Sequence, residues 1–189
     1  MKKLLLMIVV LYPMFISAQK LQEADFIGNV RAFDPNDKDS VAIPLDRAAC
    51  ELVGKATGSR IWWGIGSTRI HIKIPGKQSN CTLKQHSNYQ LIVRVSNNNY
   101  DPLSQVTIFP ISSSGSNSRR AELGKVEKFV GNFNPSTIPD AVQFEGKKYG
   151  NYSYIIDPHD LPKGEYAVFV SNPEQANSTS LIIYTFRVN

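Results

Sequence analysis

The stretch DPHDLPKGEYAVFVS, from Asp157 to Ser171, concentrates the residues best suited to acid–base chemistry. Asp157, His159 and Asp160 lie close together, and Glu165 follows them. A histidine oriented by a carboxylate can act as a general base toward a serine nucleophile. One functional hypothesis is therefore an exported hydrolase that uses the acidic and histidine cluster at residues 157–160.

The surrounding sequence argues against that chemistry. No serine of the chain lies in a G-x-S-x-G sequence, the usual nucleophile elbow. His159 and Asp160 are adjacent on a predicted loop, where one side chain is badly placed to orient the other. Asp157-Pro158 and Asp160 are also common turn residues. We therefore predict that the protein is not an enzyme and has no catalytic residues.

The same stretch is typical of a structural corner. Leu161-Pro162 begins an extended segment, and Gly164 can adopt backbone conformations that other residues avoid. Tyr166 then opens a strand in which it shares a face with Val168 and Val170. In Greek-key sandwiches a tyrosine at this place folds back and donates its hydroxyl to upstream backbone, the tyrosine corner. We predict such a corner from Leu161, Gly164 and Tyr166.

Trp62-Trp63 offers a candidate binding residue. If the segment is a strand, the two side chains point to opposite faces. The alternation of Ile70, Ile72 and Ile74 then places Trp62 inward and Trp63 outward. An exposed Trp63 indole suits a sugar or a protein partner, because tryptophan is enriched at binding hot spots. The alternative is that another part of the fold covers Trp63.

Cys50 and Cys81 are the two cysteines of the chain. In an oxidising compartment they can pair as a disulfide, and the alternative is a pair of buried free thiols. Together with the three histidines they show no metal-ligand spacing. The sequence therefore predicts no metal site and no cofactor.

Two short polar motifs lie next to each other. DPNDKDS, residues 34–40, has the acidic residues of a calcium loop, but Lys38 occupies what would be a ligand position. We interpret it as a solvated acidic turn. Asp39-Ser40-Val41 resembles the Asp-Ser/Thr-apolar acceptor for O-glycosylation in Bacteroidetes, which makes Ser40 a candidate modification site.

The elements that must position these residues are strands. TRIHIKI, LIVRVS and SLIIYTFRVN alternate apolar and polar residues with period two, and clusters such as DPNDKD, SNNNYDP and SNPEQANS separate such runs. This pattern predicts an all-β fold, a single Ig-like antiparallel β-sandwich with Greek-key topology and about nine to ten strands. Residues 44–57 fit both helical and strand spacing, and the all-β surroundings favour a strand.

The first 18 residues have the pattern of an export signal. Lys2 and Lys3 precede the apolar run Leu4–Ile16, and Ser17-Ala18 supplies small residues before a cleavage site. We therefore predict a signal peptide at 1–18, one domain at 19–189, and a periplasmic or extracellular location with no later transmembrane segment. Loss of the two lysines lowers the net charge from +5 to +3. This mild and dispersed charge predicts no nucleic-acid binding.

Several motifs of the later two-thirds of the chain resemble an uncharacterised type of secreted β-sandwich protein from Bacteroidetes. They are NNNYDP at 97–102, KKYGNYSYIIDP at 147–158, LPKGEYAVFV at 161–170 and the closing YTFRVN. The resemblance implies the fold and no activity. The sequence thus predicts an exported, non-catalytic module that binds a protein, a glycan or a second copy of itself. A carbohydrate-binding module with an exposed aromatic platform is a further alternative.

Overall fold

The computed structural model describes residues 21–37, 41–56, 68–85, 88–126, 138, 140–172 and 180–189. These residues form one short helix, α1 (Pro102–Gln105), and a series of strands. The strands are β1 (Val30–Phe33), β2 (Ile43–Pro44), β3 (Asp46–Ala56), β4 (Thr68–Pro75), β5 (Thr82–Leu83), β6 (Gln90–Arg94), β7 (Val106–Ser113), β8 (Ser118–Val126), β9 (Glu145–Tyr149), β10 (Ser153–Asp157), β11 (Gly164–Val170) and β12 (Ser180–Val188).

The strands form two sheets. The first has the order β2-β1-β6-β10-β9, and all its pairings are antiparallel. The second has the order β11-β7-β8-β4-β3-β12, and β11 also pairs with β12, which closes these six strands into a barrel. The short β5 adds to β12 in parallel. Closure removes the two free edges that an open sheet of these strands would expose.

The barrel interior is filled by one face of each of its six strands. Ile72 and Ile74 are fully buried there, as the alternation of β4 predicts. A register shift between Ile70 and His71 marks a bulge in the β4–β8 pairing, and such bulges increase strand bending. The interior cluster comprises Ala48, Cys50, Ile72, Ile74, Phe109, Ile111, Ala121, Leu123, Ile138, Ala167 and Ile183.

A second core lies between the five-stranded sheet and the outer surface of the barrel. The sheet contributes residues such as Leu91, Val93 and Tyr154, and the barrel contributes Tyr166 and Phe186. The rings of Tyr166 and Phe186 stack with their centroids 5.5 Å apart. Strands β11 and β12 supply both cores, since their alternate residues face the barrel interior and the sheet.

The loop from Gly76 to Asn80 is tied to buried charges of the barrel. Arg119 and Glu165 form an ion pair of 2.9 Å, and the Arg119 side chain is only 4% exposed. The Ser79 amide donates to the Glu165 carboxylate at 2.9 Å, and the Ser79 hydroxyl donates to Asp46 at 2.8 Å. These contacts join β3, β8 and β11 to the loop that follows β4.

The all-β, antiparallel prediction is confirmed, and so is the strand over most of residues 44–57. The described residues contain twelve strands rather than nine or ten. The closed barrel also differs from a simple pair of packed sheets. The serine-rich stretch ISSSGSNSRR lies in the β7–β8 hairpin, and its Arg119 is buried.

Within the described residues, no helix has the length and apolarity needed to cross a bilayer.

Candidate functional site

Three loops meet at one end of the five-stranded sheet. The antiparallel register places the start of β1, the end of β6 and the β9–β10 turn side by side, because Val30 pairs with Val93 and Ser153 pairs with Arg94. We call this region the loop end and define it as residues 26–28, 96–103 and 150–152.

The loop end carries most of the exposed large apolar side chains of the described residues. The exposed fractions are 72% for Phe26, 64% for Tyr100 and 47% for Tyr152. Ile27 and Leu103 are exposed as well. Only Val41, Ile43 and Leu52 are comparably exposed elsewhere in the described part of the chain. Clustered exposed apolar residues indicate an interaction surface rather than random surface composition.

Asn98 ties the second loop to the β9–β10 turn. Its side chain is buried, and its amide nitrogen donates to the carbonyl oxygens of Tyr149, Gly150 and Ser153. The closest of these contacts, to Ser153, is 3.1 Å. A buried amide with satisfied hydrogen bonds fixes the backbone around it. The two loops therefore hold a defined relative position.

Tyr100 and Leu103 are held by backbone contacts that leave their side chains free to face solvent. The Tyr154 hydroxyl donates to the Tyr100 carbonyl at 2.7 Å. The Asp101 carboxylate accepts from the Leu103 amide at 2.9 Å and caps α1, and Pro102 follows at its first turn. Aspartate and proline suit these cap positions. The exposed side chains thus stand on an ordered backbone.

Arg94 connects the first loop to the β9–β10 turn. Its guanidinium carbon lies 5.0 Å from the centroid of the Tyr152 ring, a cation–π distance. The carbonyl oxygen of Arg94 accepts from the Gly28 amide at 2.8 Å. The loop that carries Phe26 and the turn that carries Tyr152 consequently both contact Arg94 at the end of β6.

The segment at residues 21–25 crosses the outer face of the sheet, and we call it the strap. Its contacts run from β9 to β1. The Tyr149 hydroxyl of β9 donates to the Leu21 carbonyl. Glu23 binds Ser153 of β10 and Arg94 of β6, and the Asp25 carboxylate lies 3.8 Å from the Arg31 guanidinium of β1. The strap therefore touches four neighbouring strands and ends at residue 25, next to the loop end.

Glu23 is the most extensively bound side chain of the strap. Its carboxylate accepts from the amides of Asn151 and Tyr152 and from the Ser153 hydroxyl, and Arg94 lies 3.5 Å away. The hydrogen bond from Ser153, with smaller contributions from the two amides and Arg94, outweighs partial burial and lowers the pKa of Glu23 below its ordinary value.

The cluster proposed for acid–base chemistry is divided by the fold. Asp157, rather than Asp160, lies next to His159, with 3.4 Å between Oδ1 and Nδ1. Glu145 is 3.8 Å from the other ring nitrogen, and the imidazole is 57% exposed. Glu165 belongs to the buried ion pair with Arg119 instead. The structure thus separates Glu165 from the histidine.

A cleft adjoins His159 at the end of the sheet opposite to the loop end. It encloses about 380 Å³, including space open to solvent. Tyr89, Leu161 and Phe186 contribute apolar walls, and Lys84 and Asp160 contribute charges. Among the described residues that line it there is no serine, threonine or cysteine, so the described part of the cleft brings no hydroxyl or thiol nucleophile to His159.

The tyrosine corner is confirmed. Tyr166 is 6% exposed, and its hydroxyl donates to the Pro162 carbonyl at 2.8 Å. Leu161 packs against the core beneath it. The expectation that Gly164 adopts a backbone conformation avoided by other residues was wrong. The residue of the corner with a left-handed backbone is His159, whose φ is 52°. Gly164 lies instead beside the Tyr166 ring, where an added Cβ would make ordinary contact at 3.6 Å.

Cys50 and Cys81 are free and buried, so the structure corresponds to the buried-thiol alternative and not to the disulfide. Cys50 pairs with Leu181 on β12, whereas the Cys81 carbonyl accepts from Arg187, six residues further along that strand. At about 3.3 Å per residue the separation is far beyond disulfide geometry. Burial raises the pKa of the Cys50 thiol to about 12 and that of Cys81 to about 11.

Two predicted site residues, Trp63 and Ser40, lie outside the described residues. The acidic turn is described as far as residue 37, where the Asn36 amide donates to Asp34 at 2.9 Å, as in an Asx turn. No group of three or more histidine, cysteine or acidic side chains among the described residues is arranged to bind a metal.

Comparison with family models, with curated proteins and with solved structures found no match for this chain.

Two sequences of the loop end have a composition that suits binding loops, but ordinary turns have the same composition. NNNYDP and YGNYS combine asparagine, glycine and tyrosine, a mixture that is also typical of antibody-type binding loops. Neither sequence by itself distinguishes a binding loop from an ordinary turn. Only the pairing of β6 with β1 and β10 places them at one end of the sheet.

Proposed function

We propose that this chain is an exported, non-catalytic, Ig-like binding module that recognises a protein of the periplasm or cell surface through its loop end. The observation that carries the proposal is the exposure of Phe26, Tyr100 and Tyr152 on three loops that internal hydrogen bonds hold in place. Binding loops at one end of a β-sandwich are the arrangement used by immunoglobulin variable domains.

The chemistry of the exposed side chains favours a protein over a glycan. Phe26, Ile27 and Leu103 have no polar group and contribute only by excluding water over a matching apolar surface. A folded protein offers such a surface, and aromatic residues are enriched at its interfaces. Tyr100 and Tyr152 add large, rigid rings that lose little conformational entropy on binding.

The charges of the loop end suit a partner surface of low net charge. Arg94 is paired with Glu23, and Lys148 donates to the Asn99 side chain at 3.0 Å. Asp101 is engaged in capping α1. Since these charged groups are engaged in internal contacts, the apolar side chains and amide groups are the parts available for recognition.

Site-specific photo-crosslinking in the native host tests the proposal. We would replace Tyr100 by the photoreactive benzoyl-phenylalanine and irradiate intact cells. The expected product is an adduct that is shortened by protease treatment. In the background of Phe26→Ala and Tyr152→Ala its yield should fall about tenfold or more, because two hot-spot side chains each contribute at least about 1 kcal/mol.

The matched control places the same probe at Leu52 on β3, which is 42% exposed but lies on the barrel. It should give no such adduct. An adduct from Leu52 in equal yield, or no adduct from residue 100, would contradict the proposal. An adduct that resists protease and is removed by periodate oxidation would favour the carbohydrate-binding alternative, and one of twice the chain mass would indicate self-association.

A further inference from the structure

We infer that Glu23 is the positioning residue of the loop end: from the strap it fixes the Tyr152 turn and the Arg94 side chain that together present the binding surface. The inference rests on the proposed function and concerns how its site is held in the competent form. It assigns a recognition role to a residue that lies outside the three loops.

The carboxylate of Glu23 supplies the hydrogen-bond acceptors for the β9–β10 turn. One oxygen accepts from the Asn151 amide at 3.1 Å, and the other accepts from the Tyr152 amide at 3.2 Å. A carboxylate is a stronger acceptor than a neutral group for such amides. The turn that carries the exposed ring is therefore held by a side chain from another segment.

Glu23 also orients the cation that stacks on this ring. Its second oxygen lies 3.5 Å from the Arg94 guanidinium, which in turn lies 5.0 Å from the Tyr152 centroid. Arginine has many rotamers, and pairing it with a carboxylate reduces this freedom before a ligand binds. One carboxylate thus fixes both the backbone and one face of Tyr152.

The turn is shaped to receive this side chain. Gly150 has φ of 56°, and a Cβ at this position would collide with the Glu23 carboxylate. Two independent reasons therefore require glycine at position 150: its left-handed backbone conformation and the close approach of the strap. The YGNYS sequence and Glu23 are complementary, although more than 120 positions separate them in the chain.

Hydrogen exchange and crosslinking together test this role in the mature chain. In Glu23→Gln we expect the amides of Asn151 and Tyr152 to exchange about tenfold faster or more, because they lose a charged acceptor. Amides of the barrel strand β4 should exchange as in the wild type. Crosslinking from residue 100 in native cells should fall several-fold, since the Tyr152 ring is no longer held.

Asp25→Asn is the matched control, since Asp25 is the other acidic residue of the strap and contacts Arg31 instead of the turn. It should change neither measurement. Unchanged exchange at Asn151 and Tyr152 in Glu23→Gln would overturn the inference, and so would faster exchange with full crosslinking. If the wild-type chain itself gives no protein adduct from residue 100, the proposed function fails and the inference fails with it, whatever the exchange rates show.

Discussion

At the scale of single residues, hydroxyl, carboxamide and carboxylate groups fix the segments that connect the strands. Tyr166 bonds the corner at Pro162, Asn98 bonds the β9–β10 turn, and Glu23 bonds that turn from its other side. Each group bonds backbone atoms of a turn, a corner or a strand end, and such bonds add to the stability that the sheet ladders supply.

Tyr166→Phe should destabilise the protein by about 1 kcal/mol, the typical net value of one hydrogen bond. The loss stays near this value because Pro162 is exposed, so water can replace the tyrosine hydroxyl at its carbonyl. Urea unfolding followed by circular dichroism measures the change. Tyr100→Phe is the control, because Tyr100 is 64% exposed, and a comparable loss there would show that the corner bond is not the cause.

The two cysteines should behave as protected thiols. Because burial raises their pKa values to about 12 and about 11, both stay neutral and unreactive in the folded protein near pH 8. Ellman's reagent should therefore detect almost no thiol in native protein purified without reductant, and two thiols after denaturation without reductant. Detection of none after denaturation would demonstrate a disulfide and contradict the structure.

At the scale of elements, the sequence pattern located strands well and their partners poorly. The alternation of Ile70, Ile72 and Ile74 predicts β4 and its buried face because period-two patterning is a local property. Barrel closure also needs the long-range pairings of β3 with β12, β4 with β8 and β7 with β11, and nothing local specifies those contacts. The same limit applies to Arg119, which looks like half of a surface doublet until β8 and β11 place it beside Glu165.

The loop after β4 should detach more easily in acid because of Asp46 on β3. Desolvation opposes ionisation of this carboxyl, but hydrogen bonds from the Ser79 hydroxyl and from the amides of Asn80 and Cys81 outweigh it and lower its pKa below 3.8. A lowered folded-state pKa stabilises the protein above the unfolded value, and this stability is lost as the pH falls through the folded value.

Asp46→Asn should accordingly cost about 2 kcal/mol at pH 7, and much less once the pH is well below the ordinary value of 3.8. Urea midpoints at the two pH values measure the difference. Asp160→Asn, at an exposed position away from this loop, should change stability by less than about 0.5 kcal/mol at either pH. An equal cost of Asp46→Asn at both pH values would show that its charge does not hold the loop.

At the scale of the whole molecule, β11 and β12 make the barrel and the five-stranded sheet interdependent. Ala167 and Ile183 face the barrel interior, whereas Val168 and Tyr184 face the sheet. Neither core can lose these two strands and keep its shape. Shared strands favour cooperative unfolding, because the free energy of each core depends on the same backbone pairing.

We therefore expect one thermal unfolding transition to shift in two different variants. These are Ile72→Ala in the barrel core and Ile156→Ala in the core between the sheet and the barrel. Both side chains are fully buried, and each truncation should cost about 2–5 kcal/mol. Scanning calorimetry should show one peak that moves to lower temperature in either variant, with near-ultraviolet and far-ultraviolet dichroism changing together. Ile43→Ala, at a 40% exposed position, is the control and should move the peak little. Two separate peaks, with each variant shifting only one, would mean that the barrel and the sheet unfold independently despite their shared strands.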